Sequence, residues 1–120
     1  MMSKQKNPFQ KEHPFDKRKL DSERIVLKYP DRIPIIVQNI QDSLLPPLDK
    51  KKYLAPRDLT LGQFMYVIRK RIQLEPETAI FMFVNNTLPA TSSSLSTIYN
   101  EQKNEDGFLY LDISGESTFG

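Results

Sequence analysis

Residues 58–72 read DLTLGQFMYVIRKRI and give the clearest indication of the architecture of this protein. Its large apolar residues recur three or four positions apart, as side chains on one face of a helix do: Leu61, Phe64, Ile68 and Ile72. Thr60 and Gln63 match a capping box, in which the two side chains satisfy free amides of the first turn reciprocally. Basic residues at 69–71 suit the carboxyl end of a helix dipole. The stretch therefore predicts an amphipathic helix with one buried face.

Two apolar runs precede this helix and two follow it. Residues 32–37 are a β-branched run and residues 50–54 a shorter one, so both are predicted strands. Pro34 cannot donate to a sheet ladder, which leaves two alternatives: the strand begins at a sheet edge, or the amide nitrogen of Pro34 faces outward. Residues 80–84 are continuously apolar, which predicts a strand in the centre of the sheet. Residues 108–113 are the last predicted strand.

Capping and breaking residues define the remaining elements. One of the serines at 92–94 caps a short predicted helix that runs to about Tyr99. Residues 9–29 carry helical patterning in two pieces, because Pro14 interrupts an interior helix. Asp and Gly at 106–107 indicate a turn.

The order of these elements predicts the fold class. Two helices, a strand pair, one long crossing helix and two further strands follow the ubiquitin-like β-grasp order, an α+β fold with a four-stranded mixed sheet. We predict an N-terminal helical extension over residues 1–30, a β-grasp core over 31–113 and a flexible tail over 114–120. The chain has 120 residues, which suits one such domain.

The residue types that most catalytic and metal sites need are missing from the sequence. It contains no cysteine, which excludes disulfides, thiolate metal sites and a cysteine nucleophile. The single histidine, His13, lacks partners for catalysis or zinc binding and is expected to be exposed. With no phosphate-binding loop and no nucleophile beside a base, we predict neither an enzyme nor a cofactor. No apolar run approaches the ~20 residues of a membrane span.

Charge is concentrated at the amino-terminal end. Residues 1–28 hold eight Lys or Arg and four Asp or Glu, a net +4, whereas the whole chain carries +2. This segment suggests contact with acidic partners, such as tubulin, or with anionic headgroups. Basic runs at 50–52 and 69–71 lack interleaved aromatic residues, so we predict solvated faces there and no nucleic-acid partner.

Long, dispersed runs resemble those of a known family: residues 32–34, 52–54, 58–64, 68–71, 80–81, 83–85, 106–110 and 114–120. They are similar to the autophagy-related ubiquitin-like modifiers, which include the GABA-receptor-associated protein and light chain 3 of microtubule-associated proteins. The similarity extends from about residue 9 to the last residue. It implies the β-grasp fold with two extra N-terminal helices.

The resemblance implies that Gly120 is joined to phosphatidylethanolamine on autophagosomal membranes, and that the protein is otherwise cytoplasmic. Phe119 and Gly120 match the family's processing point, which the activating enzyme and a delipidating cysteine protease recognise. A tail ending in a residue without a side chain suits a carboxylate that must enter a narrow site, be adenylated and pass through an enzyme thiol to an amine. Many members carry residues after this glycine, so either the gene encodes it exposed or this is a trimmed form.

The resemblance also implies a groove for short extended motifs, an aromatic residue followed three residues later by Leu, Ile or Val, added as a strand beside residues 52–54. The implied aromatic pocket uses Asp21, Ile25, Pro34, Ile36, Lys52, Leu54 and Phe108. The implied aliphatic pocket uses Tyr53, Ala55, Pro56, Leu59, Phe64 and Val67. Arg32 and Arg71 would pair with acidic residues that flank the motif. Whether Ile36 and Phe64 belong to the core or to the groove stays open.

By resemblance, a candidate second docking surface for helical ligands consists of Phe81, Met82 and Phe83. At least one of the two phenylalanines is instead predicted to be buried in the core as part of the strand. The partners implied are activating and conjugating enzymes, a delipidating protease and cargo receptors, with the protein itself a monomer. The alternative is an unconjugated ubiquitin-like adaptor in vesicle or microtubule-associated trafficking.

Overall fold

Eight elements are present in the computed structural model, which describes residues 7–40 and 45–116. Their bounds in chain order are α1 Pro8–Glu12, α2 Phe15–Lys28, β1 Arg32–Asn39, β2 Lys52–Pro56, α3 Leu61–Arg71, β3 Phe81–Phe83, α4 Leu95–Gln102 and β4 Leu109–Ser114. None of the helices within these residues has both the length and the hydropathy of a membrane span.

The four strands form one mixed sheet in the order β2-β1-β4-β3. β1 pairs antiparallel with β2 and parallel with β4, and β3 pairs antiparallel with β4. The predicted ubiquitin-like β-grasp with two N-terminal helices is therefore confirmed. The prediction of a central strand at residues 80–84 was wrong, because β3 lies at the sheet edge. Met82 and Phe83, which are neighbours in the strand and so face opposite sides of the sheet, are nevertheless both buried, and burial alone does not reveal strand order.

α3 packs on one face of the sheet through the predicted stripe. Leu61, Phe64 and Ile68 are buried in the main core, which also contains the β1 residues Ile33 and Ile35. The capping box is present: Gln63 N donates to Thr60 Oγ1 at 3.1 Å, and Thr60 N donates to Gln63 Oε1 at 2.9 Å. The helix begins at Leu61 rather than at residue 58, because Thr60 is its extended N-cap.

We expect Thr60→Ala to lower the free energy of unfolding by about 1 kcal/mol, because it leaves an amide of the first turn of α3 without its acceptor. Urea denaturation would measure this change. Thr91→Ala is the matched control, since Thr91 is exposed and lies beside the same helix start. An equal loss in both variants would show that capping is not the cause.

The other face of the sheet carries α1 and α2. A smaller apolar cluster joins Ile25 of α2 to Ile36 and Phe108, with Phe9 of α1 packed against it. The two helices are separated at Pro14, as predicted, and Pro14 is the N-cap of α2. The sheet thus lies between α3 on one face and the N-terminal helices on the other.

Pro34 lies in a central strand, so the alternative of a strand that begins at a sheet edge was wrong. Val37 N donates to Lys51 O at 2.8 Å, which directs the amides of odd-numbered β1 residues toward β2 and those of even-numbered residues toward β4. Pairing with β4 begins only at Ile35, opposite Leu109. The nitrogen of Pro34 therefore points past the start of that ladder, where no donor is needed.

Candidate functional site

Within residues 7–40 and 45–116, no strand pairs with the outer edge of β2. β2 is the terminal strand of the sheet, and its odd-numbered residues direct their main-chain groups toward β1. Lys52 and Leu54 consequently direct their N–H and C=O groups away from the sheet. The carbonyl of Leu54 accepts a long hydrogen bond from Arg32 Nη1 at 3.3 Å. An extended peptide that pairs with this edge would use these two residues.

The seven residues of the predicted aromatic pocket come together on the face that carries α2. Pro34 lies opposite Leu54 in the register, and Ile36 lies opposite Lys52. Ile36 and Phe108 are fully buried, so both form the floor, where they contact Ile25. Ile36 is thus a core residue beneath the pocket rather than an open wall.

An ion pair crosses the mouth of this pocket. Lys52 Nζ lies 2.6 Å from Asp21 Oδ2, and both side chains are more than one-third exposed. Such an exposed pair contributes only about 0–1 kcal/mol, because water screens it. A ligand can therefore displace the pair at little cost, and Leu54, which is half-buried, lies beside the opening.

The predicted aliphatic pocket lies on the opposite face, and half of its members are core. Tyr53, Ala55 and Phe64 are buried, with the Tyr53 and Phe64 rings edge-to-face at 5.6 Å between centroids. The remaining members offer surface to a ligand: Leu59 is half-buried, and Pro56 and Val67 are exposed. The question left open for Phe64 is thus answered in favour of the core in this conformation.

Arg71, one of the two arginines predicted to pair with acidic residues that flank the motif, already has a partner. Arg71 Nε and Nη2 each lie 3.2 Å from an Asp49 carboxylate oxygen, Oδ1 and Oδ2 respectively. Sequence reasoning missed Asp49, which lies 22 residues from Arg71 in a loop, and no local pattern links the two. An acidic ligand would have to exchange with Asp49 to reach this guanidinium.

Three tyrosines are placed where ionisation is unfavourable. Burial raises the pKa of the Tyr53 phenol, whose oxygen has no hydrogen-bond partner among the described residues. Burial also raises the pKa of Tyr99 and, more strongly, that of Tyr110. A hydrogen bond to Asp106 adds to the upward pKa shift at Tyr110.

These shifts predict loss of stability in alkaline solution. A tyrosine in the unfolded chain has a pKa of about 10. Because the folded protein keeps these phenols protonated to higher pH, they stabilise it fully below about pH 10, and this contribution to the free energy of unfolding is lost as the pH rises toward their raised folded pKa. Tyr110→Phe should make the free energy of unfolding fall less steeply between about pH 10 and pH 11.5, measured by urea denaturation. A slope that this substitution leaves unchanged would contradict the explanation.

Two sets of predicted site residues remain, the candidate second docking surface on β3 and the carboxyl-terminal tail. Met82 and Phe83 are buried, and only Phe81 keeps part of its surface, so the three do not form one exposed docking face. Phe119 and Gly120 lie outside the described residues.

His13 is exposed, as predicted. Within residues 7–40 and 45–116, no three His, Asp or Glu side chains are grouped as metal ligands would be.

The chain is similar to known proteins over nearly its whole length. The family described as "Autophagy protein Atg8 ubiquitin like" matches residues 17–120. Autophagy-related protein 8 of Mycosarcoma maydis is 59% identical over 115 residues, which cover 96% of this chain and 98% of the relative. Autophagy-related protein 8c of Arabidopsis thaliana is 60% identical over 112 residues, or 93% and 94% of the two chains.

Two solved structures have the same fold. ATG8 of Trypanosoma brucei aligns with a TM-score of 0.89 at 43% identity, covering 97% of this chain and 100% of that one. Atg8 of Plasmodium falciparum, solved in complex with a peptide of Atg3 from the same organism, aligns with a TM-score of 0.87 at 32% identity, covering 95% and 100%.

Proposed function

Because this chain belongs to the Atg8 family of ubiquitin-like autophagy proteins, we propose that it is a modifier conjugated through Gly120 to phosphatidylethanolamine on autophagosomal membranes. Its β2 groove recruits cargo receptors and autophagy machinery that carry aromatic-x-x-aliphatic motifs. Before conjugation the protein is cytoplasmic. It acts by holding partners at a membrane rather than by catalysis.

The observation that supports the groove assignment is that β2 is the terminal strand of the described sheet, with an apolar cluster on each face of that sheet. An added strand alternates its side chains between the two faces, so residues three positions apart point in opposite directions. The apolar residues proposed for the aromatic pocket cluster on the α2 face, and most of those proposed for the aliphatic pocket belong to the cluster on the α3 face. The spacing of the motif therefore matches the placement of the pockets.

The positions of the pockets along β2 also give the direction of the peptide. The proposed aromatic pocket lies beside Lys52 and Leu54, whereas accessible residues of the proposed aliphatic pocket lie at the last residue of the strand, Pro56, and after it, at Leu59. A peptide with its aromatic residue first would run parallel to β2. Three residues of extended chain span about 10 Å, roughly the length of chain from Lys52 to Ala55.

The carboxyl-terminal tail supports conjugation through its chemistry. The carboxylate of Gly120 attacks a nucleotide phosphate and releases pyrophosphate, an enzyme thiol then displaces the nucleotide, and the amine of the lipid displaces the thiol to form an amide. Two acyl chains make the anchoring stable, where one chain would be marginal, at about 0.8 kcal/mol per buried CH₂. Many weak groove contacts on one membrane then act together through their effective concentration.

The Plasmodium relative solved with an Atg3 peptide supports a peptide-binding role for this fold. The direct test of conjugation is the intact mass of the protein after incubation with the activating and conjugating enzymes, ATP and phosphatidylethanolamine liposomes. We expect an increase by one lipid molecule less one water. An unchanged mass with active enzymes would contradict the proposal.

A further inference from the structure

A buried ion pair joins α2 to the turn before β4. Arg18 Nη1 lies 2.6 Å from Asp106 Oδ2, and their side chains are 8% and 0% exposed. The hydroxyl of Tyr110 donates to the same carboxylate oxygen at 2.5 Å. Arg18 Nε donates to the carbonyl of His13 at 2.9 Å, so one guanidinium joins the α1–α2 connection to the β-grasp core.

A second contact one turn along α2 strengthens this junction. Ser22 Oγ donates to the carbonyl oxygen of Asp106 at 2.5 Å. Gly107 has a φ of +91°, and a β-carbon there would collide with the hydroxyl of Ser22. The turn thus permits the close approach of α2 only with glycine at this position. We name Arg18, Ser22, Asp106 and Tyr110 the latch.

The latch contacts both halves of the aromatic pocket. The helix half adjoins the latch along α2, because Asp21 lies between Arg18 and Ser22, and Ile25 lies about one turn after Ser22. The sheet half includes Phe108, whose amide donates to Asp106 Oδ1 at 2.9 Å. Apolar contact at Ile25 alone is non-directional and would let the helix slide on the sheet, whereas the charged hydrogen bonds give one geometry. The aliphatic pocket, on the opposite face, contains no latch residue.

We propose that the latch positions the aromatic pocket, so that Arg18 and Asp106 set the affinity for the aromatic residue of a bound motif without contacting it. This inference rests on the proposed groove function. A buried ion pair often adds little net stability compared with apolar residues, so a geometric role agrees with its physics. The latch residues are positioning residues, and their removal should affect only one of the two anchor positions of the peptide.

The test uses the full chain with both Arg18→Met and Asp106→Asn. The double substitution removes both charges together, so no unpaired charge stays buried, and it keeps Oδ1 of residue 106 as an acceptor for Phe108. Arg24→Met is the matched control, because Arg24 is exposed on the same helix. The probes are three peptides, Trp-x-x-Leu, Ala-x-x-Leu and Trp-x-x-Ala, titrated by NMR so that weak binding is measured and folding is checked in the same spectra.

We expect the double variant to bind Trp-x-x-Leu and Trp-x-x-Ala about tenfold more weakly than the unsubstituted protein, and Ala-x-x-Leu within about twofold. Arg24→Met should bind all three peptides unchanged. Wild-type affinity in a folded double variant, or an equal loss for all three peptides, overturns the positioning role alone. If the double variant does not fold, Tyr110→Phe is titrated with the same three peptides. We expect a smaller loss of affinity for Trp-x-x-Leu and Trp-x-x-Ala, and Ala-x-x-Leu again within about twofold. Unchanged affinity, or an equal loss for all three peptides, overturns the positioning role. Failure of the unsubstituted protein to bind any of the three overturns the groove function itself, and the inference with it.

Discussion

Deletion of Gly120 is expected to abolish the lipid-linked product completely. The new terminal carboxylate would belong to Phe119, whose side chain does not suit a narrow activating site, so adenylation and both later transfers would stop. The measurement is the intact mass, or the shifted gel band, after incubation with the conjugation enzymes and liposomes. Recruitment of the protein to membranes should disappear in the same experiment.

Ser117→Ala is the matched control for this deletion, because it alters the same tail and keeps the terminal glycine. We expect it to be conjugated like the unsubstituted protein. Affinity for an aromatic-x-x-Leu peptide should be the same in both variants, which would show that the groove is intact. If the lipid-linked band survives the deletion, the conjugation proposal is wrong, and an unconjugated ubiquitin-like adaptor becomes the better description.

Simultaneous Lys52→Ala and Leu54→Ala should weaken an aromatic-x-x-Leu peptide at least tenfold, or about 1.4 kcal/mol. Both side chains lie at the mouth of the aromatic pocket on the free edge of β2. The changes remove apolar contact and one side of the Asp21 pair, while the main chain of β2 keeps its bonds to β1. Isothermal titration with a synthetic peptide measures the loss.

This pair is a sharper test than a substitution at Tyr53. Tyr53 is only 7% exposed and packs on Phe64, so truncating it would destabilise the core by several kcal/mol and confuse the readout. Lys51→Ala is the matched control, since Lys51 is an exposed neighbour just before β2. Unchanged affinity in a folded Lys52 and Leu54 double variant would refute the groove.

Local chemistry made several elements predictable from the sequence. The cap and stripe of α3 depend on residues three or four positions apart, which meet in any α-helix. Pro14 separates α1 from α2 wherever these helices pack, because it lacks an amide hydrogen. The residues assigned to the aromatic pocket from family resemblance are brought together by the fold, although the resemblance could not say which of them are floor and which are mouth.

The helices, the strands, their order along the chain and the family were predictable from the residues alone. The packed fold was needed to establish that β3 lies at the edge, that Ile36 and Phe64 are core, and that Arg71 is paired with Asp49. It alone revealed the latch, whose two charged residues are 88 positions apart. This difference arises because hydrophobic periodicity indicates whether a side chain is buried, whereas the identity of its partner depends on how distant segments pack together.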